Sequence, residues 1–245
     1  MPRYKLTIEY DGSGFVGWQR QNNGPSVQAV VEHGLAHLYR EDITVFAAGR
    51  TDAGVHATGQ VIHFDAPGTL PADKVRDALN YHMKPQPVAV LAAELVDDEF
   101  HARFSAIGRS YLFRISNRKA PPTMDQRRVW WVAQKLDAEA MHAGAQFLIG
   151  HHDFTTFRAT ECQAKSPMKT LDRLDVVRVG EEIHIITAAR SFLHHQVRNM
   201  VGTLKLVGMG SWKPEDVKRA LEAKSRAAGG ATCPPIGLYL TGVRY

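Results

Sequence analysis

Between Tyr4 and Val96 the hydrophobic residues change their period in a fixed order, and that order admits few folds. Tyr4 to Tyr10 sets Leu6 and Ile8 among polar neighbours at period two, a strand, and ends in the turn signal Asp11-Gly12-Ser13-Gly14. After the Gly24-Pro25 breaker, Ser26 can cap a helix whose Val27, Val30, Val31, Leu35 and Leu38 share one face. Strands fit Ile43 to Ala48 and Gln60 to Asp65. Pro71 opens a helix carrying Val75, Leu79 and Met83, and Val88 to Val96 is again a strand. Strand, helix, strand, strand, helix, strand is the order of the ferredoxin-like split unit, an antiparallel sheet with two helices on one face.

The rest of the chain repeats the order more loosely. Strands are expected at Ser110 to Ser116, Leu171 to Val179 and Glu182 to Ala189. A helix is expected at Ala138 to Leu148, a long one from Phe192 to Val207, a short one at Pro214 to Ala223, and a last strand near Leu238 to Arg244. Residues 117–134 and 151–170 read as insertions. The expectation is an α+β protein of two ferredoxin-like halves with mainly antiparallel sheets, residues 1–105 and 106–245, and a catalytic cleft between them. A hydrophobic fraction of 44% against 22% charged residues is enough to fill such cores.

Thirty Lys and Arg oppose 25 Asp and Glu, a formal charge of +5 that favours a polyanionic partner. Cys162 and Cys233 are too few for a disulfide framework or a thiolate cluster and suit a reducing compartment. With no signal-type start and no apolar run of about 20 residues, a soluble cytoplasmic protein is expected.

Two motifs invite chemical readings. Gly12-Ser13-Gly14-Phe15-Val16-Gly17 matches the GxGxxG dinucleotide fingerprint, but Trp18 to Pro25 stands where the phosphate-binding helix would have to begin, so a tight glycine turn is the better account. Gly49-Arg50-Thr51-Asp52-Ala53-Gly54-Val55-His56-Ala57 sets a guanidinium, a carboxylate and an imidazole in one loop between strands. Taken alone, this is an Asp turn closed by its own side chain.

The chain as a whole says more. The Asp52 loop resembles the signature of the TruA-type tRNA pseudouridine synthases, and Tyr10-Asp11-Gly12-Ser13-Gly14-Phe15-Val16-Gly17-Trp18-Gln19 resembles the family's N-terminal motif. Further similar segments follow in order: Phe104-Ser105-Ala106 with Arg109-Ser110-Tyr111, Gly150 to Phe157, Phe192 to Gly202, and Pro234 to Leu240. Cys233 stands where a small residue such as Ala is more usual. The resemblance implies a cofactor-free isomerase, a homodimer, that converts uridine to pseudouridine at positions 38, 39 and 40 of the tRNA anticodon stem-loop. It implies Asp52 as the catalytic carboxylate, Tyr111 as the ring against the target base, and Arg198 as the partner of the carboxylate.

Those residue types suit the reaction. The base must be detached from the ribose at N1, rotated and rejoined through C5, and a carboxylate can serve by adding to ring carbon, attacking the ribose or removing a ribose proton. A guanidinium beside it would offset its desolvation. On a helical wheel Arg198 flanks the stripe of Leu193, Val197, Met200, Val201 and Leu204, though a solvated Arg at a helix edge fits as well. Tyr111 shares a strand face with Phe113, as an ordinary sheet-core tyrosine would. Arg50 is a candidate to fill the gap left by an extruded base. The run Arg103, Arg109, Arg114, Arg118, Lys119, Arg127 and Arg128 faces only Asp125 within its own stretch, a density suited to phosphate. Arg50, Arg109, Arg114 and His195 are the expected RNA contacts. No metal is expected: His151-His152 and His194-His195 are adjacent pairs without ligand spacing. The rival classes are a non-catalytic RNA-binding module, which would show exposed aromatics in an RNP-like strand, and a metal-dependent nuclease, which would need clustered carboxylates.

Overall fold

The computed structural model describes all 245 residues and divides into two compact units, Met1–Ile107 with Tyr239–Tyr245, and Gly108–Leu238. It is a mixed α/β protein with five α-helices and mostly antiparallel strand pairing. No helix is long and apolar enough to cross a membrane.

In the first unit the order is β1 (Arg3–Tyr10), α1 (Val27–Tyr39), β2 (Phe46–Ala47), β3 (His56–Asp65), α2 (Ala72–His82) and β4 (Val88–Val96). The strands lie in the order β4-β1-β3-β2, each neighbour antiparallel. Alternation along β1 buries Tyr4, Leu6, Ile8 and Tyr10, and α1 and α2 add Val27, Val31, Leu35, Val75 and Leu79 to the core. Each fully buried aliphatic side chain of this kind stabilises the fold by roughly 1.5–3 kcal/mol. Ser26 caps α1 as expected, its side chain accepting from the Ala29 N–H at 3.3 Å. The strand expected over Ile43 to Ala48 shrinks to two residues: Ile43 and Val45 are buried, but their backbone stands off the ladder.

The second unit runs β5 (Gly108–Ser116), β6 (Trp130–Trp131), α3 (Ala138–Gln146), β7 (Gly150–Asp153), β8 (Met168–Val179), β9 (Glu182–Ala189), α4 (Gln196–Gly208) and α5 (Pro214–Glu222). Its strand order is β5-β9-β8-β7, antiparallel throughout, with β6 added parallel to β5. Phe113, Ile115, Leu174, Ile183 and Ile185 from the sheet are buried, as are Met141, Met200, Val201 and Leu204 from α3 and α4. The stretch expected to be an insertion, 151–170, instead belongs to the core at its start: it holds most of β7, then a 3-10 turn, Thr155–Phe157, flanked by fully buried Phe154 and Phe157.

Two expectations shift further. The helix expected from Phe192 begins only at Gln196, because His195 adopts a left-handed conformation (φ 60°) and the Gln196 side chain accepts from the Leu193 N–H at 2.8 Å. The last strand, β10 (Leu238–Arg244), pairs parallel with β3 at Tyr239–His56 and Leu240–Ala57, so residues from Tyr239 onward lie with the first unit rather than with 106–238.

Candidate active site

Asp52 stands on the loop joining β2 to β3, and the glycine-rich segment after β1 holds that loop in place. Asp11 caps a 3-10 turn, Gly12–Gly14, by accepting from the Ser13 N–H at 3.0 Å, so the segment is a turn with no dinucleotide-type helix behind it. The Trp18 N–H then donates to the Thr51 carbonyl at 3.0 Å, and the Tyr10 and Thr51 hydroxyls share a buried hydrogen bond of 2.8 Å. At Gly17 the backbone takes φ 116°, and a Cβ there would stand 2.8 Å from the Thr51 oxygen, so only glycine fits. The loop closes on itself through the Val55 N–H to the Asp52 carbonyl at 3.1 Å, with Gly54 at φ 76° in the position where a type II turn requires it. Asp52 is left half-buried and Arg50 exposed on one rigid loop.

His56, at the start of β3, is 2% exposed. Its Nδ1 accepts from the Gly12 N–H at 3.1 Å, lies 3.2 Å from the Asp11 carboxylate, and its ring stacks on Tyr239 at 4.7 Å between centres. This histidine therefore ties three segments together beneath the loop. Spacing alone gave no sign of that, since the contacts come from β10 and the β1 turn.

The remaining candidates lie in the second unit. Alternation along β5 sets Arg109 and Tyr111 on one face and Arg114 on the other, so the strand does not bring Arg114 together with them. Tyr111 is half-buried, unlike the fully buried Phe113 on its own face, and meets Phe192 edge to face at 5.2 Å. Arg109 donates to the Arg190 carbonyl at 2.7 Å. Arg198, half-buried in the first turn of α4, donates from Nε to the Cys233 carbonyl at 2.9 Å, which fixes the plane of its guanidinium. The His194 and His195 rings lie 3.9 Å apart between centres, tilted by 38°, on the turn that leads into α4. Tyr111, His195 and Arg198 thus gather around the α4 entrance.

Arg114 sits elsewhere, in a cleft of about 430 Å³ shared with Arg118, Glu181, Glu182 and His184. Its guanidinium forks onto Glu182 at 2.7 and 2.9 Å and lies 3.5 Å from Asp125, while Arg118 pairs with Glu181 at 2.9 Å. Burial disfavours the Glu182 anion, yet the hydrogen bonds from Arg114 and His184 hold its carboxyl below the usual range. The basic run looked lopsided because its counter-charges come from the β8–β9 turn, more than fifty residues away in sequence.

The chain matches the family model described as tRNA pseudouridine synthase over residues 6–105 and 145–245. The chain belongs to that family. Relatives carrying the name tRNA pseudouridine synthase A include one from Paramagnetospirillum magneticum, 68% identical over this whole chain and 96% of its own length. Others come from Rhodospirillum centenum, 60% identical, and Parvibaculum lavamentivorans, 58% identical, each matched over the full length of both chains.

Proposed function

We propose that this protein isomerises uridine to pseudouridine in tRNA, at positions 38, 39 and 40 of the anticodon stem-loop, with Asp52 as the catalytic carboxylate. The observation that carries the reading is the clamping of the Asp52 loop by the Tyr10–Trp18 segment: hydrogen bonds on both sides of Asp52 fix its backbone while its side chain stays half-buried. Precise placement of one reacting group is what a rearrangement without cofactor or metal demands of its protein. A plain Asp turn has no need of such support.

In this reading Tyr111 lies against the target base and Arg198 stabilises the Asp52 anion. Arg50, Arg109, Arg114 and His195 contact RNA, with Arg50 filling the gap of the extruded nucleotide. At Arg114, phosphate has to displace Glu182 from its fork. The working enzyme is a cytoplasmic homodimer of subunits built from two ferredoxin-like halves. The β4-β1-β3-β2 order of the first unit supports that description for one half. The test is to incubate the purified protein with unmodified tRNA, without metal-dependent cofactor or nucleotide, and map pseudouridine by chemical derivatisation. Derivatisation confined to positions outside the anticodon stem-loop would refute the site assignment, and none at all would refute the activity.

A further inference from the structure

We propose that Gln60 is a positioning residue for the Asp52 loop, a role that rests on the catalytic reading of Asp52. Gln60 lies on β3 with no exposed surface, in a strand otherwise packed with Val61, Ile62 and Phe64. Its Nε2 donates to the Gly49 carbonyl at 2.7 Å, while its Oε1, equally buried, has no hydrogen-bond partner. A buried amide that is half satisfied costs stability relative to an apolar side chain of the same size, so packing does not explain a glutamine here.

Its place in the ladder does. β2 pairs with β3 through Phe46–His63 and Ala47–Ile62, and the Ala48 N–H donates to the Val61 carbonyl at 2.8 Å. The next pair in register would be Gly49 with Gln60. There the chain leaves the sheet to form the Asp52 loop, and the Gln60 side chain takes over from the backbone by holding the Gly49 carbonyl. The loop is thus anchored at Gly49 by Gln60 and at Thr51 by Tyr10 and Trp18, with Asp52 the next residue along. Losing the first anchor lets the loop swing about the second, and displacements of about 1 Å at a reacting group cost up to roughly a hundredfold in rate.

Two variants test this beside Asp52→Asn. Gln60→Met keeps the volume, removes the donor and removes the unpaired oxygen. It is expected to keep the thermal midpoint and the tRNA dissociation constant near wild type while single-turnover conversion falls roughly tenfold to a hundredfold. In Gln60→Glu only the protonated carboxyl can donate to Gly49, and burial raises its pKa. Its conversion rate relative to wild type is therefore expected to be highest in mildly acidic buffer and to fall as the pH rises. A purely structural role predicts a lowered midpoint and no such pH dependence. Wild-type conversion by Gln60→Met, or a Gln60→Glu rate that tracks wild type across pH, would overturn the proposal while an inactive Asp52→Asn left the catalytic reading intact. An Asp52→Asn protein as fast as wild type would instead sink the catalytic reading, and the role of Gln60 with it.

Discussion

Asp52→Asn keeps the size and turn-forming capacity of the side chain, and the loop keeps its hydrogen bonds through Thr51, Val55 and Gly54. The variant should fold and bind tRNA, and pseudouridine formation should drop to background; equal single-turnover rates in the two proteins would make Asp52 a turn residue. If Arg198 partners the reacting carboxylate as proposed, Arg198→Met, which also loses the hydrogen bond to the Cys233 carbonyl, should lower turnover far more than tRNA affinity. Weakened binding at unchanged turnover would make it a phosphate contact instead. His63 offers a test of stability. Burial, with His101 and Arg3 nearby, pushes its pKa down from 6.5 to about 4, and its Nδ1 accepts from the Ala102 N–H. Because the folded pKa lies below the unfolded one, the unfolded chain binds the extra proton. The stability is complete above pH 6.5 and is lost as pH falls toward about 4, by an amount on the order of 3 kcal/mol. Thermal melts across that window should show the decline in wild type and a flatter profile in His63→Gln.

Among the elements, the turn after β1 and the entrance to α4 each hold a residue at positive φ, Gly17 and His195. Gly17→Ala would force a side chain into the left-handed region and against the Thr51 oxygen. The expected cost is about 2–5 kcal/mol, from roughly 1–2 for the backbone and 1–3 for the overlap. A lowered melting temperature and a larger loss of turnover should appear together, and a silent Gly17→Ala would mean that the clamp is not needed. From sequence alone the α4 entrance reads as helix because Phe192 to Val207 keeps a helical apolar pattern, and periodicity does not reveal one left-handed residue. The Gln196 amide decides the matter locally, by accepting from the Leu193 N–H and starting the helix one turn late. β7 was hidden for the complementary reason: Gly150-His151-His152-Asp153 has no alternation, and only its pairing with Met168 to Leu171 makes it a strand.

For the whole molecule, a charge of +5 and a basic run partly neutralised by Glu181 and Glu182 imply a tRNA affinity that is electrostatic but moderate in its salt slope. With a few phosphate contacts, binding should weaken roughly tenfold to a hundredfold between about 50 and 200 mM salt. Affinity independent of salt would contradict it. Conversion should also survive EDTA once the tRNA has been folded and its magnesium restored, because every proposed role is filled by an organic side chain. Activity abolished by the chelator under those conditions would reopen the question of a metal.

Much of this protein was legible in the residues themselves. Period two in β1 and β9, the Ser26 cap of α1, Pro214 at the head of α5 and the glycine turn at residues 12–17 are local matters of backbone sterics and side-chain burial, which neighbouring residues settle among themselves. The candidate residues Asp52, Tyr111 and Arg198 were legible through the family likeness of their motifs. What remained for the tertiary structure were the contacts between segments distant in sequence: β10 beside β3, His56 between Asp11 and Tyr239, Glu182 in the fork of Arg114, and Gln60 on the Gly49 carbonyl. Hydrogen bonds and ion pairs depend on distances of about 3 Å. A sequence states which groups are available for them, but only the packed fold brings a particular pair that close.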